Sequence, residues 1–227
     1  MLTEARMLEM LVLQEQLEVK ISGPDWREQG NDYGLCIYME ANEMIDHHGW
    51  KHWKAHKPDY DAIRLELVDI WHFTLAMLLQ GNPSKLADQL AKEVTKEINT
   101  GSMAFIEQHE ELMNHTFISS CIALADKAVH DTQISLLPFF RCCAEVDMDF
   151  DLLYKLYVGK NVLNHFRQAH GYAEGTYIKM WGDLEDNEHL YALINKLGPE
   201  TTQRSLEIGL ETIYDRVLMG VAVELAI

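Results

Sequence analysis

The stretch from Ala62 to Leu79 places the tightest condition on how this chain can fold. Leu65, Leu67, Val68, Ile70, Trp71, Phe73, Leu75, Met77, Leu78 and Leu79 crowd a helix-length segment with apolar side chains. A helix that is apolar on nearly every face is predicted to lie buried among other helices. Yet Glu66 and Asp69 stand inside it, spaced i, i+3 and therefore one turn apart on one face. Burying each without a compensating cation costs on the order of several kcal/mol. A cation beside them removes that cost.

A second acidic doublet, Glu40 and Glu43 in CIYMEANEMID, has the same spacing. Four carboxylates make an all-oxygen donor set, which favours a hard ion: Mg²⁺ first, with Mn²⁺ also possible. Such a cluster leaves coordination positions for water and phosphate oxygens, as metal-assisted phosphoryl transfer requires. The plainer alternative is a solvated acidic face. Either doublet alone fits that alternative; the pair together, one of them inside an apolar helix, fits it poorly.

Elsewhere apolar residues recur at helical spacing along most of the 227 residues, few segments alternate as strands do, and there are only 5 prolines. The expected fold is all-α, in a single domain over 1–227 with a middle insertion at about 84–147. Helices are predicted from Thr3 to Lys20, Tyr33 to His47, and Pro58–Asp59 to Gln80, with Pro83 suited to the first turn of another. Three or more helices fill the middle, punctuated only at Gly101, His130 to Thr132, and Pro138. Further helices are predicted from Phe150 to His170, from Asp183 to Lys196, and after LGPETT, with GYAEGTYIKMWGD as a loop.

A net charge of −17 argues against nucleic-acid or anionic-membrane partners. No apolar run reaches membrane-spanning length, and MLTEARMLEM is not a signal peptide, so the cytoplasm is the expected location. Cys36, Cys121, Cys142 and Cys143 match no zinc ribbon or disulfide framework and read as reduced thiols.

Against this acidic background GKNVLNHFRQAHGYAEGTYIKMW is basic. Lys160, Asn164 and Arg167 fall at i, i+4 and i+7 on one helix stripe, followed by Tyr172, Tyr177 and Lys179 in the glycine-bounded loop. Together they suit a triphosphate, with Asn164 on a sugar hydroxyl or a metal-bound water; the plainer alternative is a snorkelling surface face. In HHGWKHWKAHKPD, Trp53 is a candidate to wall a flat nucleobase slot with His72 and Phe73, while Lys54 reaches a phosphate. His48, His52 and His56 recur at i, i+4 as zinc ligands would, but Gly49 and Pro58 limit the helix and no ligand signature is complete.

Three segments, YMEANEMID with the following WKHWK, ELVDIWHF, and GKNVLNHFRQAHGYAEGTYIKMW, resemble the dimeric all-α dUTPases. The resemblance spans most of the chain. It implies a helical bundle of the all-α NTP pyrophosphatase type, a homodimer, and hydrolysis of dUTP, and of dUDP, to dUMP, with water attacking in line at the β-phosphate. It implies that Glu40, Glu43, Glu66 and Asp69 bind Mg²⁺, and that Glu40 or Glu43 activates the water. Lys54, Lys160, Arg167, Tyr172 and Lys179 would hold phosphates. Asn164 and Asp69 would contact the deoxyribose or its metal shell, and Gln14, Trp53, His72 and Phe73 would form the uracil pocket.

Two positions depart from the pattern. LQEQLE carries Glu18 where the family commonly has an Asn that reads uracil, and Ala173 replaces a Lys often found after the loop tyrosine. A carboxylate at position 18 can accept from an exocyclic amine, which keeps a pyrophosphohydrolase for another nucleotide, such as dCTP, as the alternative. A carboxylate-bridged di-iron protein would need Glu-x-x-His motifs in place of Glu-x-x-Glu and Glu-x-x-Asp. A purely structural helical module is the remaining alternative.

Overall fold

A computed structural model describes residues 1–103, 106, 116–130 and 136–223. Among them are nine α-helices: α1 Glu4–Ser22, α2 Tyr33–His48, α3 Tyr60–Gly81, α4 Ala87–Glu97, α5 Phe117–His130, α6 Leu136–Glu145, α7 Phe150–Ala169, α8 Asp186–Leu197 and α9 Gln203–Leu218. The all-α expectation holds. The local reasons for the helix starts are visible: the side chains of Thr3, Asp32, Asp59 and Asp149 each accept from the backbone three residues on, capping α1, α2, α3 and α7.

The apolar helix α3 is central. Ile63, Leu67, Val68, Ile70, Trp71, Leu75 and Ala76 are completely buried. Trp71 stacks on Phe139 of α6 at 5.1 Å between centroids and donates from Nε1 to Met10 Sδ of α1. α2 packs along α3 on one side and α5 on the other, while α7 packs against α1, α3, α8 and α9. Glu66 and Asp69 are not sealed in the core as the sequence suggests. Their side chains keep 15% and 20% of their exposure, because their stripe of α3 faces a cleft between α2, α7 and α8.

Three boundaries differ from the sequence expectation. Pro83 lies in the turn before α4, whose helix begins at Ala87. Pro138 interrupts nothing: it is the third residue of α6, where a missing N–H costs no helical bond. The loop after α7 contains a short antiparallel hairpin, β1 Met180–Trp181 with β2 Leu184–Glu185, paired Met180 to Glu185 and Trp181 to Leu184. Gly182, at φ 74°, allows its tight turn, so α8 starts at Asp186 rather than Asp183. Of the break expected near His130 to Thr132, residues 131 and 132 lie outside the described residues.

The α2–α5 contact depends on Gly34. A Cβ there would lie 2.3 Å from the carbonyl oxygen of Ala128, a backbone atom that cannot step aside. Gly34→Ala is therefore expected to destabilise the protein by roughly 1–3 kcal/mol, read as a lower midpoint in urea unfolding, with lower activity because α2 carries Glu40 and Glu43. Wild-type stability in this variant would show that α5 is not seated this closely.

Candidate active site

A cleft of about 1100 Å³ opens between α2, α3, α7 and α8. Glu40 and Glu43, one turn apart on α2, face Glu66 on α3. One ligand oxygen from each of the three lies within 4.8 Å of the others. Asp69 lies one turn further along α3; its Oδ2 accepts from Lys160 Nζ at 2.8 Å, and it stands at the edge of the trio rather than in it.

The electrostatics register the crowding. Burial, and then the charges of Asp69, Glu66 and Glu43, push Glu40 up to about 8 from an ordinary 4.5, with Lys160 opposing. Burial and Asp69 push Glu66 up to about 7, opposed by Lys160 and by a hydrogen bond with Glu40. Without a cation, the crowding favours the protonated forms of Glu40 and Glu66. The donor set is therefore one that a hard divalent ion fits: oxygen-only, partly buried and short of positive charge.

The basic residues are on the opposite wall, but not as a free cationic surface. Lys160 is 2% exposed and donates to Asp69 and to Asn187 Oδ1, both at 2.8 Å. Arg167 grips Asp186 through Nε and Nη2 at 2.8 and 2.7 Å, and Nη1 donates to Asn164 Oδ1. Burial works against the Arg167 charge, but the bonds to and charge of Asp186 outweigh it, so its pKa is raised. Burial is likewise outweighed at Asp186, whose carboxyl is held below its ordinary value. Tyr172 follows in the loop, with Arg167 Cζ 5.7 Å from its ring centroid. The turn needs Gly171, at φ 85°, where a Cβ would strike Thr176 Oγ1 at 2.0 Å. Lys179 pairs with Glu185 across the hairpin at 2.8 Å.

Thus the cleft brings together Glu40, Glu43, Glu66, Asp69, Lys160, Arg167, Tyr172 and Lys179. It does not include Lys54 and Trp53, which sit on the 49–59 connection. Trp53 is 67% exposed and packs edge-on against Trp50 and His52. Nor do the three spaced histidines converge: His48 stacks on Phe117, and His56 Nε2 bonds the backbone oxygen of His47. Asn164 is behind Arg167, outside the cleft lining, and the part-buried Phe73 lies near Tyr33, 6.4 Å between ring centroids.

Gln14 and His72 form a separate buried network. His72 Nδ1 lies 2.7 Å from Gln14 Oε1, Gln14 Nε2 donates to Glu18 Oε1 at 2.9 Å, and Tyr33 OH donates to Glu18 Oε2 at 2.8 Å. Tyr157 stacks on His72 at 4.2 Å and also donates to Gln14 Oε1. Burial drives His72 down to about 3, so it is neutral. Its Nε2 has no protein partner.

Sequence reasoning missed Asp186 and Asn187, at the start of α8. Asp186 is fully buried and ties Arg167 to Tyr177 OH; Asn187 joins Lys160 to Arg167. EDNEHL is an ordinary helix start until its tertiary partners are known.

A family model described as dUTPase matches residues 6–172, nearly three-quarters of the chain. The chain belongs to the dUTPase family. None of the curated proteins matches it. The family carries dUTP diphosphatase activity, a nucleotide substrate and a general requirement for a divalent metal. In this dUTPase the acidic trio and the paired cations face each other across one cleft.

The raised carboxyls give a pH prediction. Between about 4.5 and 8 the folded dUTPase binds more protons than the unfolded chain, so stability is present at the acid end and lost as pH rises through the folded values of Glu40 and Glu66. With a chelator present, the melting temperature is expected to fall from pH 5 to pH 8, and added Mg²⁺ is expected to restore most of the loss at pH 8. A flat profile unaffected by Mg²⁺ would contradict the electrostatic account.

Proposed function

We propose that this dUTPase hydrolyses dUTP, and dUDP, by in-line attack of water at the β-phosphate, with Mg²⁺ held by Glu40, Glu43 and Glu66 and bordered by Asp69. The observation that carries this reading is the carboxylate trio, with ligand oxygens within 4.8 Å, in the same cleft as Lys160, Arg167 and Lys179. Bound there, Mg²⁺ neutralises charge on the phosphate oxygens; Mn²⁺ suits the same donors.

The chain's own residues supply the remainder. Glu40 or Glu43 takes the proton from the attacking water as it bonds to the β-phosphorus. The bond from that phosphorus to the oxygen bridging to the α-phosphate breaks, and from dUTP dUMP and pyrophosphate leave. Lys160 and Arg167, held in place by Asp69, Asn187 and Asp186, present pre-oriented donors, and Tyr172 and Lys179 close over the phosphates from the loop. Lys54 and Trp53, on the exposed 49–59 connection, and Asn164 and Phe73, outside the cleft lining, take the phosphate, base and sugar roles implied by the resemblance only if they move toward the cleft when substrate binds.

Base choice is proposed to rest on His72 and Gln14. His72 is neutral and its Nε2 is an acceptor without a protein partner, but the atom is sealed inside the buried network, so a base reaches it only when that network opens. This acceptor complements the N3–H of uracil, whereas cytosine has an acceptor at that position. Glu18 already accepts one bond on each oxygen, from Gln14 and Tyr33, which speaks against its reading a cytosine amine. It acts as a strut between α1 and α2 rather than a reader of an amine. We further propose a homodimer in the cytoplasm, built from single-domain subunits with the middle segment at about 84–147 as an insertion. Exposed Leu35, Tyr38 and Met39 on α2 and Ile122 and Val129 on α5 support a covered face, and four unpaired cysteines suit a reducing compartment. No helix among the described residues is long and apolar enough to cross a membrane.

The test is pyrophosphate release from dUTP, dCTP, TTP and UTP in Mg²⁺. dUTP is expected to exceed dCTP in kcat/KM by on the order of 10⁴, as for a site that bonds a substrate N–H, and Glu43→Gln is expected to lose at least ~100-fold in kcat. Equal rates on dUTP and dCTP would sink the uracil assignment; an active Glu43→Gln enzyme would sink the role of that carboxylate.

A further inference from the structure

We propose that His47 is a positioning residue for the carboxylate trio: its imidazole fixes the Glu66 carboxylate in the orientation that receives the divalent ion. The proposal rests on the metal reading above and adds a residue to it.

His47 falls on the same stripe of α2 as Glu40 and Glu43, at i+7 and i+4 from them, and lines the cleft with them. Its Nε2 lies 3.2 Å from Glu66 Oε1, reaching from α2 to α3. Against an ionised carboxylate the ring nitrogen is the donor. The bond engages one oxygen of Glu66, and the acceptor sites that remain on the carboxylate stay available to the ion.

The backbone anchors the ring. The carbonyl oxygen of His47 accepts from Asp59 N at 3.1 Å and from His56 Nε2 at 2.9 Å. These two bonds close the 49–59 connection onto the end of α2, just before Asp59 caps α3. The same residue thus ties the helix bearing Glu40 and Glu43 to the helix bearing Glu66, once through its backbone and once through its side chain. Hydrogen bonds to ligating carboxylates of this kind commonly carry tenfold or more in metal affinity.

The test is Mn²⁺ binding to the nucleotide-free protein, read from the loss of the free-ion spin-resonance signal, for wild type, Glu66→Gln, His47→Ala and His47→Gln. Circular dichroism melts verify folding. His47→Ala is expected to bind Mn²⁺ roughly tenfold more weakly, and to recover kcat at saturating metal with the KM for dUTP unchanged. His47→Gln, whose amide reaches the same oxygen, is expected to return near wild-type affinity. Wild-type affinity in His47→Ala, with Glu66→Gln impaired, would overturn the role of His47 alone. Equal weakness of His47→Ala and His47→Gln would also overturn it, since ring packing would then be the cause. Glu66→Gln binding as well as wild type would remove the metal reading, and this proposal with it.

Discussion

Repulsion among carboxylates on two helices that pack directly together is the constraint around which the rest of the molecule is arranged. α2 and α3 bury Ala41, Met44, Ile63, Leu67 and Ile70 with almost no exposure. That packing forces Glu40, Glu43 and Glu66 together on the cleft side, whatever their charge. The apolar contact supplies the energy and the acids oppose it. A fold selected only for stability would place neutral residues there; a concentration of opposed charge next to a cleft is the signature of a site that takes a ligand.

The opposite wall solves a related problem differently. Lys160 and Arg167 are nearly fully buried, and each has a carboxylate of its own. Removing either partner would leave an isolated buried charge, which is far more costly than the pair. The pairing holds both cations at fixed positions before a substrate arrives, so little side-chain entropy remains to be lost on binding. α8 supplies this through Asp186 and Asn187, and the hairpin delivers α8 at the required place: the Asp186 amide donates to the Lys179 carbonyl, and Trp181 fills the core beneath.

Much of this was legible in the sequence, and the reasons divide by range. Helical periodicity and signals such as the Thr3 cap are local properties, so most helices and the starts of α1, α2, α3 and α7 could be read, whereas the starts of α4 and α8 could not. The two doublets were also local, since i, i+3 spacing fixes a shared face. Their partners were not. That Arg167 pairs with Asp186, or that His47 reaches Glu66, depends on how helices far apart in sequence meet. Glu18 is the clearest case: next to the resemblance it stood out as a departure in base reading, yet the fold gives both of its oxygens to Gln14 and Tyr33. Trp53 and His72 could be imagined in one slot from their residue types alone. The structure puts one on an exposed connection and the other in a closed network.

The central claim is that the trio on α2 and α3 is where the divalent ion meets the substrate phosphates. A crystal structure with Mn²⁺ and the non-hydrolysable α,β-imido analogue of dUTP, using the anomalous signal of the metal, tests it most directly. The account predicts an ion at roughly 2.1–2.2 Å from oxygens of Glu40, Glu43 and Glu66, sharing phosphate oxygens with Lys160 or Arg167 nearby. An ion bound to the nucleotide alone, with the three carboxylates uncoordinated, would contradict it.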